Sequence, residues 1–529
     1  YRALKRLVIG QPLASHEAEH QRLPKVIALP VFASDALSSV AYATQELLKA
    51  LVPVLALASI GYVPHLTSAI VGLLVVVTIS YVQTLYAYPT GGGAYIVAKE
   101  NIGDKAGLVA GASLLVDYTL TVSVSISAGV LAVTSAAPQL DQYRVEMCLV
   151  FLTILTVGNL RGIRESGRLF AVPTYFFVFA MFALIAAGLY RYSTGTLVPL
   201  DSPLPANTAS MPLTTFLLLT AFANGCTAMT GVEAVSNGVP AFRPPEAKNA
   251  SATLVAMAVL AIGMFLGITF LAHAYRVVPT AVESGVSQLA RAIFGRNLIY
   301  YFVQVATTLI LVLAANTAFA DFPRLASIVS RDGYLPRQFM NQGDRLAFSN
   351  GIIVLSLFAA VLIVAFKGDT HLLLPLYMIG VFISFTLSQA GMVMHWRKTH
   401  QPGWKLSAFI NGFGALVTGV VLVIVAATKT LEGAWIVLLL MPLIVVVFKV
   451  TRHHYDRVSS QLTLRGYEPQ ARVHNTVLVP VGGIQRAVVE ALRYAETLSD
   501  DVRAIYVDVN PAAAEDEAMG RRIHAAREA

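Results

Sequence analysis

The sequence predicts an all-α polytopic membrane protein carrying a small α/β module near its carboxy-terminal end. Three observations lead there. Of 529 residues, 56% are hydrophobic and only 13% charged, with a mean hydropathy of +0.66, a balance that belongs to membrane chains. Apolar runs of about 20 residues, the length that crosses a hydrocarbon core, recur as far as Val450. Beyond Val450 the composition turns polar.

Twelve spans are expected, at 24–51, 65–88, 105–136, 145–163, 168–190, 213–240, 250–273, 297–323, 350–366, 370–396, 407–427 and 432–450. The loops after spans 2, 4, 6, 8 and 10 include KENIGDK, RGIRESGR, AFRPPEAKN, SRDGYLPRQ and WRKTHQPGWK. They hold more Lys and Arg than the loops after odd-numbered spans, and the amino-terminal arm is basic too. Basic loops stay in the cytoplasm, so both termini are expected there, with the chain multi-pass in the cell's inner (plasma) membrane. The net charge of +8 is thus a matter of topology and does not point to nucleic acid. Cys148 and Cys226 lie in apolar segments, so no disulfide framework is expected.

Residues 451–471 read as a polar linker after a transmembrane domain at 1–450. Then NTVLVPVGG reads as a strand and glycine turn, IQRAVVEALRYAETL as a helix, and VRAIYVDVN as a second strand. That is a β–α–β unit, so 472–529 is expected to be a cytoplasmic module. Its last segment, AEDEAMGRRIHAAREA, looks helical.

Two spans carry polar interruptions. Span 1 holds Ser34-Asp35-Ala36-Leu37-Ser38-Ser39; span 6 holds Asn224, Gly225, Thr227, Thr230, Gly231 and Glu233. They stand five spans apart. Spans 1–5 and 6–10 therefore read as two repeats of opposite topology, with spans 11 and 12 added. Broken helices at matching places in inverted repeats mark a transporter site near the bilayer midplane, where protein and a hydrated cavity satisfy the freed backbone.

The acids sharpen this reading. A carboxylate at the bilayer centre costs at least about 2.5 kcal/mol, so Asp35 needs a cation, a proton or a polar pocket; a structural acid bonded to a Ser hydroxyl is the plainer alternative. In span 3, LLVDYTLTVSVSISAG sets Asp117, Thr121 and Ser125 on one helical face with Tyr118 beside them. A polar helix seam accounts for Thr121 and Ser125, but not for a second acid. Glu233 is a third. Carboxylates, hydroxyls and carbonyls are hard oxygen ligands suited to an alkali or alkaline-earth cation. Three neighbouring acids cannot all stay ionised around one monovalent ion. Glu233 is the candidate for proton coupling; the alternative is that it only hydrogen-bonds unwound backbone. Gly91, Gly92 and Gly93 are not followed by the Lys-Ser/Thr of a phosphate loop and suit close packing after span 2. His453-His454 lacks the further ligands of a metal site. No nucleophile–base constellation points to an enzyme, and no cofactor is expected.

The plan of spans, with PTGGGAY after span 2, resembles the amino acid–polyamine–cation transporter superfamily and its LeuT-type fold of five plus five inverted helices. Within it, FASDALSSVAYATQE, the pair Asp117-Tyr118, TGVEAVSNGV and the carboxy-terminal module resemble the KimA-type potassium importers of the KUP family. The resemblance implies a potassium–proton symporter that dimerises through its cytoplasmic modules. Asp35, Tyr42, Asp117, Tyr118, Thr121, Ser125, Thr230 and Tyr377 would bind potassium, with Glu233 on the same path coupling the proton. The module resembles part of a universal stress protein domain, a class that can bind adenine nucleotides. Val479, Pro480, Gly482, Gly483 and Asp508 would be its nucleotide contacts, and cyclic di-AMP its inhibitory ligand. The later glycine-rich phosphate loop of such domains is not found within 472–529.

Two other functions compete. An amino acid permease of the same fold holds its substrate carboxylate at unwound span 1, where Asp35 would repel it by about 4 kcal/mol at 4 Å and an effective dielectric of 20. A polyamine would suffer less. A non-transporting membrane sensor would not need two broken spans and three buried acids.

Overall fold

The computed structural model describes residues 22–55, 61–91, 93–161, 167–200, 214–280, 282–343, 347–463 and 475–506. The helices are α1 Lys25–Leu55, α2 Val63–Ala87, α3 Gly93–Asn101, α4 Asp104–Ala136, α5 Arg144–Leu160, α6 Gly167–Ser193, α7 Thr215–Gly225 and α8 Val232–Asn237. They continue as α9 Glu246–Ala274, α10 Gly285–Phe294, α11 Leu298–Arg331, α12 Ser349–Ala365, α13 Thr370–Thr399, α14 Trp404–Lys429 and α15 Trp435–Leu462. Among the described residues, eleven helical segments are long and apolar enough to cross a membrane, and α12 is a shorter apolar helix. α12 occupies the ninth expected span.

α4 is the buried axis of the bundle. It packs along α11, α13 and α3, and its most apolar stretch is almost wholly covered. α1 packs on α6, α7, α9 and α11. α15 lies at the periphery, with Val437, Met441 and Phe448 turned inward. Small residues allow the close approaches. A Cβ on Gly380 of α13 would sit 3.1 Å from the carbonyl oxygen of Ser113 in α4.

The sixth span breaks where the sequence loads it with Gly, Asn and Thr. α7 ends at Gly225, a 3-10 turn covers Cys226–Met229, Thr230 is extended, and Gly231 takes φ +79° before α8 begins. The first span does not break, contrary to expectation: α1 is one helix through Ser34–Ser39. The Ser38 and Ser39 hydroxyls each donate to the Asp35 carbonyl at 2.9 Å. Short hydroxyl side chains that bond to the preceding turn are thus accommodated inside the helix rather than ending it.

Three elements were not foreseen. α3 follows the glycines after α2, α10 is an amphipathic helix before α11, and α15 runs on to Leu462 through residues read as linker. Polar residues in that last stretch continue the helix by local propensity, Arg452 pairing with Asp456 one turn on.

The chain divides into two compact units, Tyr1–Asp456 and Arg457–Ala529. In the second, β1 Thr476–Val481, α16 Arg486–Glu496 and β2 Asp501–Tyr506 form a β–α–β unit. The strands are parallel, with Thr476 opposite Asp501 and Val481 opposite Tyr506. Thr476 Oγ1 donates to Asp501 Oδ2 at 2.7 Å, and Arg503 beside Asp501 holds its carboxyl below the usual range. The segment 514–529, expected to be helical, lies outside the described residues.

Candidate functional site

The broken sixth span meets α1 at Asp35. Gly231 lies so close that a Cβ there would be 2.9 Å from Asp35 Oδ2 and 2.5 Å from the Ala36 nitrogen. Only a glycine tolerates both that contact and the positive φ. On the next turn, Ser39 Oγ lies 2.9 Å from the Tyr42 hydroxyl and also bonds to Thr230 Oγ1. Asp35, Ser39, Tyr42 and Thr230 are all buried. The site therefore holds one carboxylate and a run of three linked hydroxyls.

α4 and α13 supply the opposite wall. Asp117 faces Gly380, whose Cβ would lie 3.5 Å from the Asp117 Cβ. The buried Asp117 Oδ1 has no hydrogen-bond partner among the described residues. Tyr377 is buried on α13, within electrostatic reach of Asp35, Asp117 and Tyr42 and beside Thr121. Tyr118 accepts a hydrogen bond from Asn237 Nδ2 of α8. Ser125 is buried two turns beyond Asp117 on α4. The fold thus draws Asp35, Tyr42, Thr230, Asp117, Thr121 and Tyr377 to one place. Tyr118 is turned toward α8.

Glu233 has a different setting. Its Oε1 accepts from the Ala94 N–H at 2.9 Å, in the first turn of α3, and its Oε2 accepts from the Ser384 hydroxyl of α13. A carboxylate at a helix N-terminus is favoured by the exposed N–H groups and the dipole. Gly93, at φ +50°, leaves the space: a Cβ there would lie 2.9 Å from Glu233 Oε1. Gly91 and Gly93 therefore serve close packing after the second span, as expected, Gly93 against Asn237 and Glu233 and Gly91 against Asn237 and Pro240. Asn237 joins the same clasp, its carbonyl accepting from Arg324 at 3.1 Å.

Two buried acids escaped the sequence reading, Asp321 and Glu46 of α1, whose Oε1 meets His371 Nδ1 of α13. Asp321, on α11, lies 3.8 Å from Arg324 and within electrostatic reach of Asp35. Its signal was an acid in AANTAFADFPR. That stretch read as the end of a span, whereas α11 continues to Arg331.

In the second unit, Val479 and Pro480 lie on β1, and Gly482 and Gly483 follow it with open space around them. Asp508 lies outside the described residues.

A family model for amino acid permeases matches residues 30–448, and one for the KimA potassium transporter C-terminal domain matches residues 472–519. Potassium transporter KimA of Bacillus subtilis (strain 168) is 48% identical over 510 residues, covering 96% of this chain and 83% of that protein. The chain belongs to the KimA potassium transporter family. It is accordingly a helical, multi-pass membrane transporter of the amino acid permease type. Two more distant proteins also align. Low-affinity putrescine importer PlaP of Escherichia coli (strain K12) is 20% identical over 345 residues, 63% of this chain and 73% of that one. The crystal structure of the Eremococcus coleocola manganese transporter covers 85% of this chain and 97% of that one, with a TM-score of 0.38 and 12% identity.

Proposed function

We propose that the chain imports potassium with a proton, through the site between α1, the broken span, α4 and α13. The observation that carries this reading is the buried Asp117 Oδ1, which has no hydrogen-bond partner among the described residues. A buried carboxylate oxygen without a partner is costly, and a dehydrated monovalent cation supplies what it lacks. Asp35, Tyr42, Thr121, Thr230 and Tyr377 complete the oxygen-rich surroundings, with Tyr118 and Ser125 further along the path. Membership of the KimA family supports potassium as the ion. In this reading the helices form two inverted repeats of five, both termini are cytoplasmic, and the membrane is the cell's inner (plasma) membrane.

Proteoliposomes holding the purified protein are expected to accumulate radioactive rubidium. Unlabelled potassium should compete, and leucine and arginine should not. A polyamine is the second reading, because its ammonium groups would satisfy the same carboxylates and PlaP is named a putrescine importer. Putrescine competing as well as potassium would decide for it.

Glu233 is the proposed coupling residue. Protonating it would weaken its bond from Ala94 and loosen the clasp that joins α8, α3 and α13. Glu233→Gln, a fixed neutral side chain, is expected to exchange rubidium across the membrane but not to concentrate it against a gradient. Accumulation with wild-type proton dependence would remove Glu233 from the role.

For the second unit we propose a universal-stress-protein-like regulatory module that dimerises and binds cyclic di-AMP. Support is limited to the β–α–β unit, the open Gly482-Gly483 turn before α16 and the matched KimA carboxy-terminal family. Calorimetry on the intact protein, and on a version cut at Arg457, tests the ligand; mass measurement of both tests the dimer.

A further inference from the structure

Asp332 caps the C-terminus of α11. A carboxylate is disfavoured there, beside orphan carbonyls and the negative end of the helix dipole. Two cations stand against it. Lys99 of α3 lies 2.7 Å from Asp332 Oδ2, and Arg452 of α15 donates from Nη1 to the Asp332 carbonyl at 2.7 Å. The Tyr95 hydroxyl of α3 donates to the same Oδ2 at 2.6 Å. Gly333 follows at φ +80°, and a Cβ there would lie 3.0 Å from Arg452 Nη1, so the glycine leaves room for the guanidinium. Arg452 also lies over the Tyr334 ring, 5.7 Å from its centroid.

The contacts of α3 reach in two directions. Tyr95 and Lys99 hold Asp332, while the Ala94 N–H donates to Glu233 Oε1 at 2.9 Å. A first-turn N–H has no carbonyl of its own helix to bond, so Glu233 is what Ala94 donates to. At the other end, Lys398 of α13 donates to the Glu100 and Asn101 carbonyls. α3 is thus a nine-residue strut between Asp332 and Glu233. Arg452 stands on α15 one turn before Asp456, where the first unit ends, and α15 itself continues to Leu462.

We propose that Asp332 is a positioning residue for transport, which clamps α3 to the end of α15 and so keeps the Ala94 N–H on Glu233. A shift of α15 is then felt at Glu233 by way of Arg452, Asp332 and α3. The inference rests on the coupling role of Glu233 and goes beyond it: it names what sets the hydrogen bond of that residue and which helix changes it. The element with two arrangements is the first turn of α3, bonded to Glu233 or released from it, and α15 biases the choice.

The test is hydrogen–deuterium exchange on the purified full chain, resolved to the Ala94 amide, with rubidium accumulation by proteoliposomes measured on the same proteins. A protected amide exchanges when its hydrogen bond opens. Asp332→Asn and Arg452→Ala should each speed exchange at Ala94 by about tenfold, the scale of one lost charge-assisted bond. Amides in the middle of α4 should keep wild-type rates, which shows that the bundle is folded. Asp456→Asn is the control: it removes the pair that Arg452 makes along α15 and spares the bond to Asp332, so Ala94 should stay slow. Asp332→Asn and Arg452→Ala should accumulate rubidium severalfold less than the wild type while still exchanging it across the membrane. An Ala94 amide as slow as in the wild type in either variant overturns the clamp, and so does one sped equally by Asp456→Asn. Faster exchange with undiminished accumulation overturns the positioning role. If Glu233→Gln accumulates rubidium with wild-type proton dependence, the coupling reading itself fails, and the proposal falls with it whatever Ala94 does.

Discussion

Asp35→Asn is expected to abolish rubidium uptake while the protein still folds. The substitution keeps the side chain's shape and removes one charge. The hydrogen bonds that Ser38 and Ser39 make at this turn go to the Asp35 carbonyl, not to its carboxylate, so the helix loses nothing. What is lost is the attraction for the dehydrated ion. At 4 Å and an effective dielectric of 20 that is about 4 kcal/mol, or roughly three orders of magnitude in affinity. Asp117→Asn should behave alike, because its buried Oδ1 has no hydrogen bond among the described residues to give up. Gel filtration and thermal unfolding would establish that both variants are folded. Uptake at the wild-type level in either would make that acid structural.

Gly231→Ala is expected to lower stability by about 2–5 kcal/mol and to stop transport. Two effects add. A residue with a Cβ at φ +79° incurs about 1–2 kcal/mol. The new methyl also falls 2.5 Å from the Ala36 nitrogen and 2.9 Å from Asp35 Oδ2, and overpacking of this kind costs about 1–3 kcal/mol. Neither neighbour is the far end of a flexible side chain, since one is helix backbone and the other the short carboxylate of the site. Gly72→Ala is the control: it lies within α2, and a Cβ there meets nothing within 4 Å. Equal melting temperatures for the two variants would show that the break has room to move.

The glycines also show where sequence reading works and where it stops. A run of Asn, Gly and Thr inside an apolar segment announces backbone that will not stay helical, and the sixth span breaks there. The serines of the first span looked the same, yet α1 is continuous. Ser side chains can either release a helix or bond back to its carbonyls, and only the neighbouring helices decide which. α10 hid for another reason, being too short and too polar on one face to register as a span.

Composition and hydropathy were enough for the membrane class, for the approximate limits of eleven of the twelve expected spans, and for the β–α–β unit, because each rests on local chemistry. They also singled out Asp35, Asp117 and Glu233, since an acid in an apolar run stands out without any knowledge of its surroundings. Distances could not be read in this way. That Gly231 touches Asp35, that Glu233 caps a helix starting at the glycines after the second span, and that Glu46 meets His371 across 325 positions of chain all depend on how α1, α8, α3 and α13 pack. Those contacts join residues remote in sequence, and no local propensity encodes them; the requirement to bury small and polar faces together inside the bundle brought them into contact.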